Sequence, residues 1–161
     1  MIVLARIDER LLHGQVAIKW TNEVAAKQIV IADDVTAASP ALSKLFTSMA
    51  PNGAKVYVCT IDEAAALLTT DEFTGPSTRV MLLTKTPLAM IQLLDKGVSF
   101  KELNVGNMGG GSGRSKIVKG YFYATDEEIK QLKSIDERGV VVYGQNICDM
   151  DAKKYLKKLV K

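Results

Sequence analysis

The feature that most constrains the fold is a regular alternation of short apolar runs with helix-type patterns along the chain. Seven runs have the length and composition of buried strands: 2–5, 28–32, 56–59, 80–83, 103–105, 117–124 and 140–143. Continuous apolar runs are typical of parallel strands covered on both faces, and the helices between them supply the necessary crossovers. The sequence therefore predicts an α/β fold: an open, mainly parallel seven-stranded sheet with helices on both faces.

Capping signals mark where the helices begin. Ser39-Pro40 and Thr86-Pro87 each place a capping hydroxyl before a proline at the first helical position. The ranges 60–63 and 125–128 have the Thr-to-Glu spacing of a capping box, and Asp33-Asp34 is interpreted as a turn. The stripes expected to face the core are Leu42, Leu45, Phe46 and Met49, then Ala64, Leu67 and Leu68, then Leu88, Ile91 and Leu94. A last helix is predicted over 151–161.

The only histidine, His13, follows the first predicted strand and precedes a predicted helix. Unpaired N–H groups and the positive end of the helix dipole favour an anion at that place, and Gly14 lets the backbone approach it closely. Arg10 adds a fork of donors suited to phosphate or carboxylate oxygens. Asp8 either fixes the Arg10 rotamer or accepts a ring N–H from His13, and both alternatives stay open. A nucleophile, an orienting carboxylate and an anion clamp thus share one short segment.

A second candidate anion site is the glycine-rich loop 106–115, which begins at Gly106. Its backbone N–H groups, with Ser112 and Arg114, have the composition to wrap an anion. It is not a Walker A loop, because Arg114 stands where that motif requires lysine, and it does not follow the dinucleotide fingerprint. A glycine cluster is also typical of an ordinary turn, and this alternative stays open.

The segment Arg6-Ile7-Asp8-Glu9-Arg10-Leu11-Leu12-His13-Gly14-Gln15-Val16 resembles the active-site segment of the IIB component of the mannose/fructose/sorbose family of the bacterial sugar phosphotransferase system. The similarity continues along essentially the whole chain. The loop after the fifth strand is similar to the Asn-Val-Gly-Gly-Met loop of that family, but has Asn107 in place of its second glycine.

The resemblance implies that His13 takes a phosphoryl group from a phosphohistidine of the family's IIA protein and passes it to a sugar, a hexose or an amino sugar, entering through membrane components IIC and IID. It implies Nδ1 as the acceptor atom and no metal or organic cofactor. His13, Arg10 and Asp8 are then the catalytic residues. The residues expected to bind the phosphoryl group are Arg6, Gly14, Gln15, Gly106, Ser112 and Arg114. The identity of the sugar and the oligomeric state, a homodimer included, are left open.

Two other function classes are alternatives to phosphoryl transfer. One is a non-catalytic module that binds an anion or nucleotide on a doubly wound sheet, which differs from the first in whether His13 becomes phosphorylated. The other is a nucleic-acid-binding protein that uses the lysine-rich end of the chain. The net charge of +3, from 21 basic and 18 acidic residues, is too small to predict nucleic-acid binding, and no platform of aromatic and basic residues is present.

Length and composition bound where the protein acts. No apolar run reaches the roughly 18 residues that a membrane span needs, and charges at 8–10 come too early for a signal-peptide core. Cys59 and Cys148 have no metal-type spacing, so reduced thiols are expected. The expectation is one IIB domain over 1–161, cytoplasmic and associated with the inner face of the membrane through the transporter.

Overall fold

The computed structural model describes residues 1–161, apart from the side chain of Asn52. The strands are β1 Ile2–Asp8, β2 Gln28–Ala32, β3 Lys55–Cys59, β4 Val80–Thr84, β5 Glu102–Asn107, β6 Ser115–Val118, β7 Phe122–Ala124, β8 Val141–Gly144 and β9 Lys154–Tyr155. The helices are α1 Gly14–Glu23, α2 Asp34–Ala37, α3 Pro40–Ser48, α4 Ile61–Leu68, α5 Asp71–Thr74, α6 Pro87–Asp95, α7 Asp126–Glu137 and α8 Leu156–Leu159, with a 3₁₀ turn at Pro51–Gly53.

Seven strands form one open sheet in the order β3-β2-β4-β1-β5-β8-β9. Every neighbouring pair is parallel except β8 with β9, so the predicted seven-stranded, mainly parallel sheet is confirmed. Its seventh member was predicted wrongly. The stretch 117–124 lies outside this sheet, because Gly120, with a φ of +96°, turns the chain back so that β6 and β7 pair with each other.

The prediction of a single helix over 151–161 is wrong. Lys154 and Tyr155 pair with the end of β8 instead, and the Tyr155 ring packs 6.3 Å from the ring of Tyr143, measured between centroids. Only Leu156–Leu159 is helical, because the pairing with β8 uses the residues that would have begun a longer helix.

Two apolar layers cover the sheet, one on each face, because successive side chains of a strand point to opposite sides. Leu4 of β1 packs with Trp20 of α1 on one face, while Ala5 and Ile7 pack with α4, α6 and α7 on the other. The capping boxes that begin α4 and α7 are present as predicted, as are the hydroxyl caps before the prolines of α3 and α6. These caps fix where the covering helices start.

Two of the predicted core stripes differ from the structure. In α6 the buried residues are Pro87, Met90 and Leu93, one position away from the expected stripe, and Leu88 is exposed. In α3 the expected stripe is mostly exposed, and of its four members Phe46 packs against the core. The reason is that α3 contacts β3, which lies at the edge of the sheet, so less apolar surface is available to cover it.

The topology brings three loops together at one edge of the sheet. β1 lies between β4 and β5, with Ile7 opposite Thr84 and Asp8 opposite Asn107, so all three strands end side by side. After β1 the chain builds β2, β3 and β4 on one side of β1, and then crosses to build β5 and β8 on the other side. A crevice at such a switch point is where open α/β sheets bind ligands.

Among the described residues, no helix has the length and apolar character required to cross a membrane.

Candidate functional site

His13 lies at this edge as the N-cap of α1, with an extended backbone and no side-chain capping bond. Its Nδ1 atom is 3.3 Å from the carbonyl oxygen of Leu11, whereas its Nε2 atom is buried and has no hydrogen-bond partner in the described part of the chain. If Nδ1–H donates to Leu11, Nε2 carries the lone pair. Because Nε2 is buried, the ring must turn outward before Nε2 can react with an external group. Reaction at Nδ1 requires that Nδ1 first give up its contact with the Leu11 carbonyl.

The loop that carries His13 is tight and anchored by two leucines. Leu11 has a φ of +57°, which is costly for a branched side chain, and its N–H donates to the Asp8 carbonyl at 2.8 Å. Leu11 and Leu12 are both buried in the apolar layer on the α1 face, and this burial holds the turn in place. The strained turn therefore presents His13 from a rigid base.

Asp8 is the centre of the polar network beside His13. It is fully buried and accepts hydrogen bonds from the Arg10 backbone N–H at 3.0 Å, from Arg10 Nε at 3.1 Å and from Arg6 Nη2 at 2.9 Å. Of the two predicted roles, the structure shows the first: Asp8 fixes Arg10, and it does not bind the His13 ring.

Arg10 remains available to an anion despite this ion pair. Asp8 binds it side-on, through Nε and, at 3.3 Å, Nη2. The end of the guanidinium formed by Nη1 and the outer N–H of Nη2 still points away from Asp8. The Arg10 side chain is 43% exposed, so this end is accessible from outside.

The first turn of α1 supplies a second set of donors directly after His13. The first N–H groups of a helix have no acceptor within the helix, and the first turn of α1 contains no acidic residue. Gly14 has a φ of +45° and open space around its Cα, and Gln15 is exposed. Gly14 and Gln15 therefore lie at an open helix N-terminus, and their binding of a phosphoryl group stays a prediction.

Arg6 was predicted to bind phosphate, and the structure contradicts this. Its side chain is 2% exposed and donates to the Asn104 side chain at 2.5 Å and to the Gln145 carbonyl at 3.1 Å. The guanidinium carbon lies 5.2 Å from the centre of the Trp20 ring. Burial lowers the pKa of Arg6, and the adjacent Asp8 carboxylate counteracts this shift. Arg6 therefore holds Asp8 in place from within the core. Arg6 and Arg10 carry two positive charges and Asp8 one negative charge, so the group has one positive charge in excess.

Gly106 has a different role from the one predicted. It lies within β5, buried, and a Cβ atom placed on it would lie 1.9 Å from the Arg6 guanidinium carbon. The glycine is required because the Arg6 side chain passes flat over the β5 backbone at this point. Gly106 therefore makes room for the ion-pair network and does not wrap an anion.

Gly106→Ala should lower the free energy of unfolding by about 1–3 kcal/mol, because the added methyl group displaces Arg6 from Asn104 and Asp8. Chemical denaturation of the purified variant measures the loss. Gly111→Ala is the matched control, since a Cβ atom at position 111 meets nothing within 4 Å. Equal stability of the two variants would contradict the packing role of Gly106.

Arg114 is also occupied by partners within the protein. It donates to Glu128 through Nε at 3.0 Å and Nη2 at 2.5 Å, and through Nη1 to Glu9 and to the Gly109 carbonyl. The hydrogen bond to Glu128 raises the pKa of Arg114. Its predicted role as a direct phosphate ligand is therefore wrong for this arrangement. Ser112 lies exposed on the glycine-rich loop, and the structure gives its side chain no hydrogen bond within the described residues.

Sequence reasoning missed four residues of the network: Glu9, Asn104, Glu128 as a partner of Arg114, and Gln145. One signal was available. Arg6 and Asp8 stand two residues apart in an apolar strand, so they share one face, and a buried pair of opposite charges needs further polar partners.

The neighbouring loops at this edge add an acidic and a basic group. Asp33, predicted to form a turn, instead caps α2 and forms an ion pair with Lys85 at 3.0 Å. Burial alone would raise the pKa of Asp33, but hydrogen bonds from Thr36 and Lys85 hold it below its ordinary value. Among the described residues, no group of three or more His, Cys, Asp or Glu side chains is placed to hold a metal ion.

Comparisons of the sequence and of the fold with known proteins agree on one family. Residues 2–161 match the family model described as PTS system sorbose subfamily IIB component. The chain is 33% identical over 147 residues to the N-acetylgalactosamine-specific phosphotransferase enzyme IIB component 1 of Escherichia coli K12, over 91% of this chain and 90% of that protein. It is 33% identical over 140 residues to the mannose-specific EIIAB component of the same strain, where the match spans 87% of this chain but 42% of that longer protein.

The fold comparison agrees with the sequence comparison. The crystal structure of the IIBSor domain of the sorbose permease from Klebsiella pneumoniae is similar with a TM-score of 0.90 and 28% sequence identity. The superposed region covers 98% of this chain and 94% of that one. The likeness thus extends over nearly every element of the sheet and its covering helices.

Proposed function

Because the chain belongs to the sorbose subfamily of phosphotransferase-system IIB components, a family of sugar phosphotransferases, we propose that its phosphoryl transfer runs through His13. His13 accepts the phosphoryl group from a phosphohistidine of a IIA protein and passes it to a hexose or amino sugar entering through membrane components IIC and IID. The observation that carries the proposal is the placement of the only histidine at the N-terminus of α1, three residues after an arginine that Asp8 holds in place.

The transfer is an in-line displacement at phosphorus. The unprotonated nitrogen of His13 attacks, its bond to phosphorus forms, and the bond to the IIA histidine breaks as that imidazole leaves with the electron pair. In the second transfer the sugar hydroxyl attacks the same phosphorus and gives up its proton, while the bond from phosphorus to His13 breaks and the imidazole leaves with the electron pair. The free end of Arg10 and the first N–H groups of α1, at Gly14 and Gln15, bind the equatorial oxygens, where charge is concentrated.

The charge of the site supports this role. Arg6 and Arg10 exceed Asp8 by one positive charge, and because Arg6 and Asp8 are buried while Arg10 is 43% exposed, this excess lies at the surface where an anion can reach it. A phosphoryl group on His13 is an anion delivered to the same segment. The family resemblance assigns the acceptor role to Nδ1, and with that atom the contact to the Leu11 carbonyl must break before attack.

Mass spectrometry after incubation with a phosphorylated IIA protein tests the proposal. An acid-labile phosphate located on His13 is the expected result. If the protein takes up no phosphoryl group but still binds inorganic phosphate or a nucleotide, it is a non-catalytic anion-binding module and the proposal is wrong.

The partners follow from the two transfers. The name of the mannose-specific relative, EIIAB, joins IIA and IIB in one protein, which supports a IIA partner for the present chain. We place the protein in the cytoplasm, with residues 1–161 acting as one IIB domain at the inner face of the membrane through IIC and IID.

The complex with IIA should be weak and salt-sensitive, centred on the loops 8–14 and 106–114. Both histidines must reach one phosphorus, so His13 lies at the centre of the contact. Arg6 and Arg114 are neutralised within the protein, so the attraction to the anionic phosphohistidine is expected from the exposed end of Arg10 together with the net charge of +3, and it does not depend on Arg10 alone. NMR titration with IIA at two salt concentrations measures the affinity and maps the surface.

Chemical-shift changes confined to the lysine-rich segment 153–161 would refute this placement. The membrane components must meet the same face of the protein to receive the phosphoryl group. Addition of IIC and IID should therefore displace IIA, and simultaneous binding of both would contradict a shared surface.

A further inference from the structure

The His13 loop and the glycine-rich loop are joined through one side chain, Glu9. The Glu9 backbone N–H donates to the Asn107 carbonyl at 3.0 Å, and its carboxylate accepts the Gly109 N–H at 2.9 Å. A Cβ atom at Gly109 would lie 3.2 Å from that carboxylate, so the loop backbone runs close against Glu9. Glu9 directly precedes Arg10 in the chain, so a shift of the Glu9 backbone would move the Arg10 guanidinium that Asp8 orients.

Arg114 closes the far end of the glycine-rich loop onto the same carboxylate. Its Nη1 donates both to Glu9 and, at 2.8 Å, to the Gly109 carbonyl. Between these fixed points, residues 110–113 are exposed, and Gly113 has a φ of +76°. Without the Arg114 contacts this part of the loop has few bonds to limit its backbone freedom.

Glu128 fixes Arg114 from the other side. Its carboxylate accepts two hydrogen bonds from Arg114 and one from the Thr125 N–H at 2.9 Å, within the capping box of α7. Burial alone would raise the pKa of Glu128, but the bonds from Arg114 and Thr125 hold it below its ordinary value. A helix end, an arginine and Glu9 thus form one continuous chain of ionic contacts that ends beside Arg10.

We propose that Arg114 and Glu128 are positioning residues for phosphoryl transfer, which act through Glu9 to hold the glycine-rich loop and the Arg10 segment in the geometry that the reaction needs. This inference rests on the proposed function of His13. Neither residue touches the phosphoryl group. A displacement of about 1 Å at a reacting centre can reduce a rate by about 100-fold, so a distant tether of this kind is visible in kcat.

Glu128→Gln tests the tether with little disturbance of the helix, since glutamine also serves at the third position of a capping box. We expect kcat for transfer from phosphorylated IIA to fall about 10- to 100-fold, with KM for IIA changed by less than about twofold. Glu127→Gln is the matched control, because Glu127 lies exposed in the same first turn. It should transfer at the wild-type rate.

A double-mutant cycle separates positioning from simple destabilisation. If Glu9 and Glu128 act as one unit, Glu9→Gln and the Glu9→Gln/Glu128→Gln double variant should show nearly the same kcat, and the Gly109 amide resonance should move in both. Additive losses of kcat, or a Glu128→Gln variant as fast as the control, would overturn the proposal.

Phosphoryl uptake by the wild type and the Gly109 resonance together distinguish this inference from the proposed function. If the wild-type protein takes up no phosphoryl group, the proposed function is wrong. The Gly109 resonance of unphosphorylated Glu128→Gln then still tests the tether, and an unchanged resonance overturns it.

Discussion

His13→Ala is expected to abolish acceptance of the phosphoryl group while the protein stays folded. The chain contains one imidazole, and no other side chain at this edge can form a phosphohistidine. The ring is half-buried and, among the described residues, its one polar contact is with the Leu11 carbonyl at 3.3 Å, so its removal should cost little stability, within about 1 kcal/mol. Mass spectrometry of acid-labile phosphate measures acceptance, and thermal unfolding measures the fold.

His13→Gln is the conservative companion of that variant. Glutamine approximates the volume of the ring and can still donate to the Leu11 carbonyl, but its amide is not a phosphoryl acceptor. Both variants should therefore lack phosphate, with His13→Gln the closer to wild type in stability. Acid-labile phosphate on His13→Ala would show that another residue is the acceptor.

Arg10→Ala should slow phosphoryl transfer by a factor on the order of 10² to 10⁵, the range typical of an arginine that stabilises charge on a transferring phosphoryl group. The truncation removes the free end of the guanidinium, while Asp8 keeps its ion pair with Arg6. The effect should therefore fall on the rate far more than on the docking of IIA. Single-turnover kinetics with phosphorylated IIA separate the two quantities.

Arg10→Lys should recover only part of the loss, because a point charge replaces a planar fork that binds Asp8 on one side and an anion on its end. Lys19→Ala serves as a control, since Lys19 is a similarly exposed cation on α1 that is also paired with an aspartate. Transfer by Arg10→Ala at the rate of the Lys19→Ala control would show that Arg10 is not the clamp.

Local features of the fold were predictable, and those that depend on distant partners were not. Six of the seven predicted strands, the helix caps and the His13 turn follow from residues close in the chain, and these are the parts the structure confirms. The α6 stripe was predicted one position off because nearly every residue in 87–94 is apolar, so the periodicity has no contrast. The pairing of β9 with β8 rests on contacts between segments that local patterns do not relate.

The candidate site shows the same division. The order Asp8, Arg10, His13 predicted an orienting carboxylate and a clamp from spacing alone, and the structure places Asp8 on Arg10. Arg114 was predicted as a phosphate ligand from its place in the glycine-rich loop, and Arg6 from its place in the segment that resembles the family's active site. Apart from Asp8 and the Gly109 carbonyl, their acceptors stand 14 or more residues away in the chain, so only the folded structure reveals that both guanidinium groups are already occupied.

The partial neutralisation of the arginines by Asp8 bears on the lifetime of a phosphorylated form. A site with two uncompensated guanidinium groups would bind a phosphoryl dianion more tightly and so make its release to a sugar hydroxyl less favourable. With Asp8 buried between Arg6 and Arg10, the dianion meets one net positive charge. If His13 carries the phosphoryl group as proposed, the phosphohistidine should keep most of its group-transfer potential, because the Asp8 carboxylate that orients Arg10 also weakens the binding of the anion.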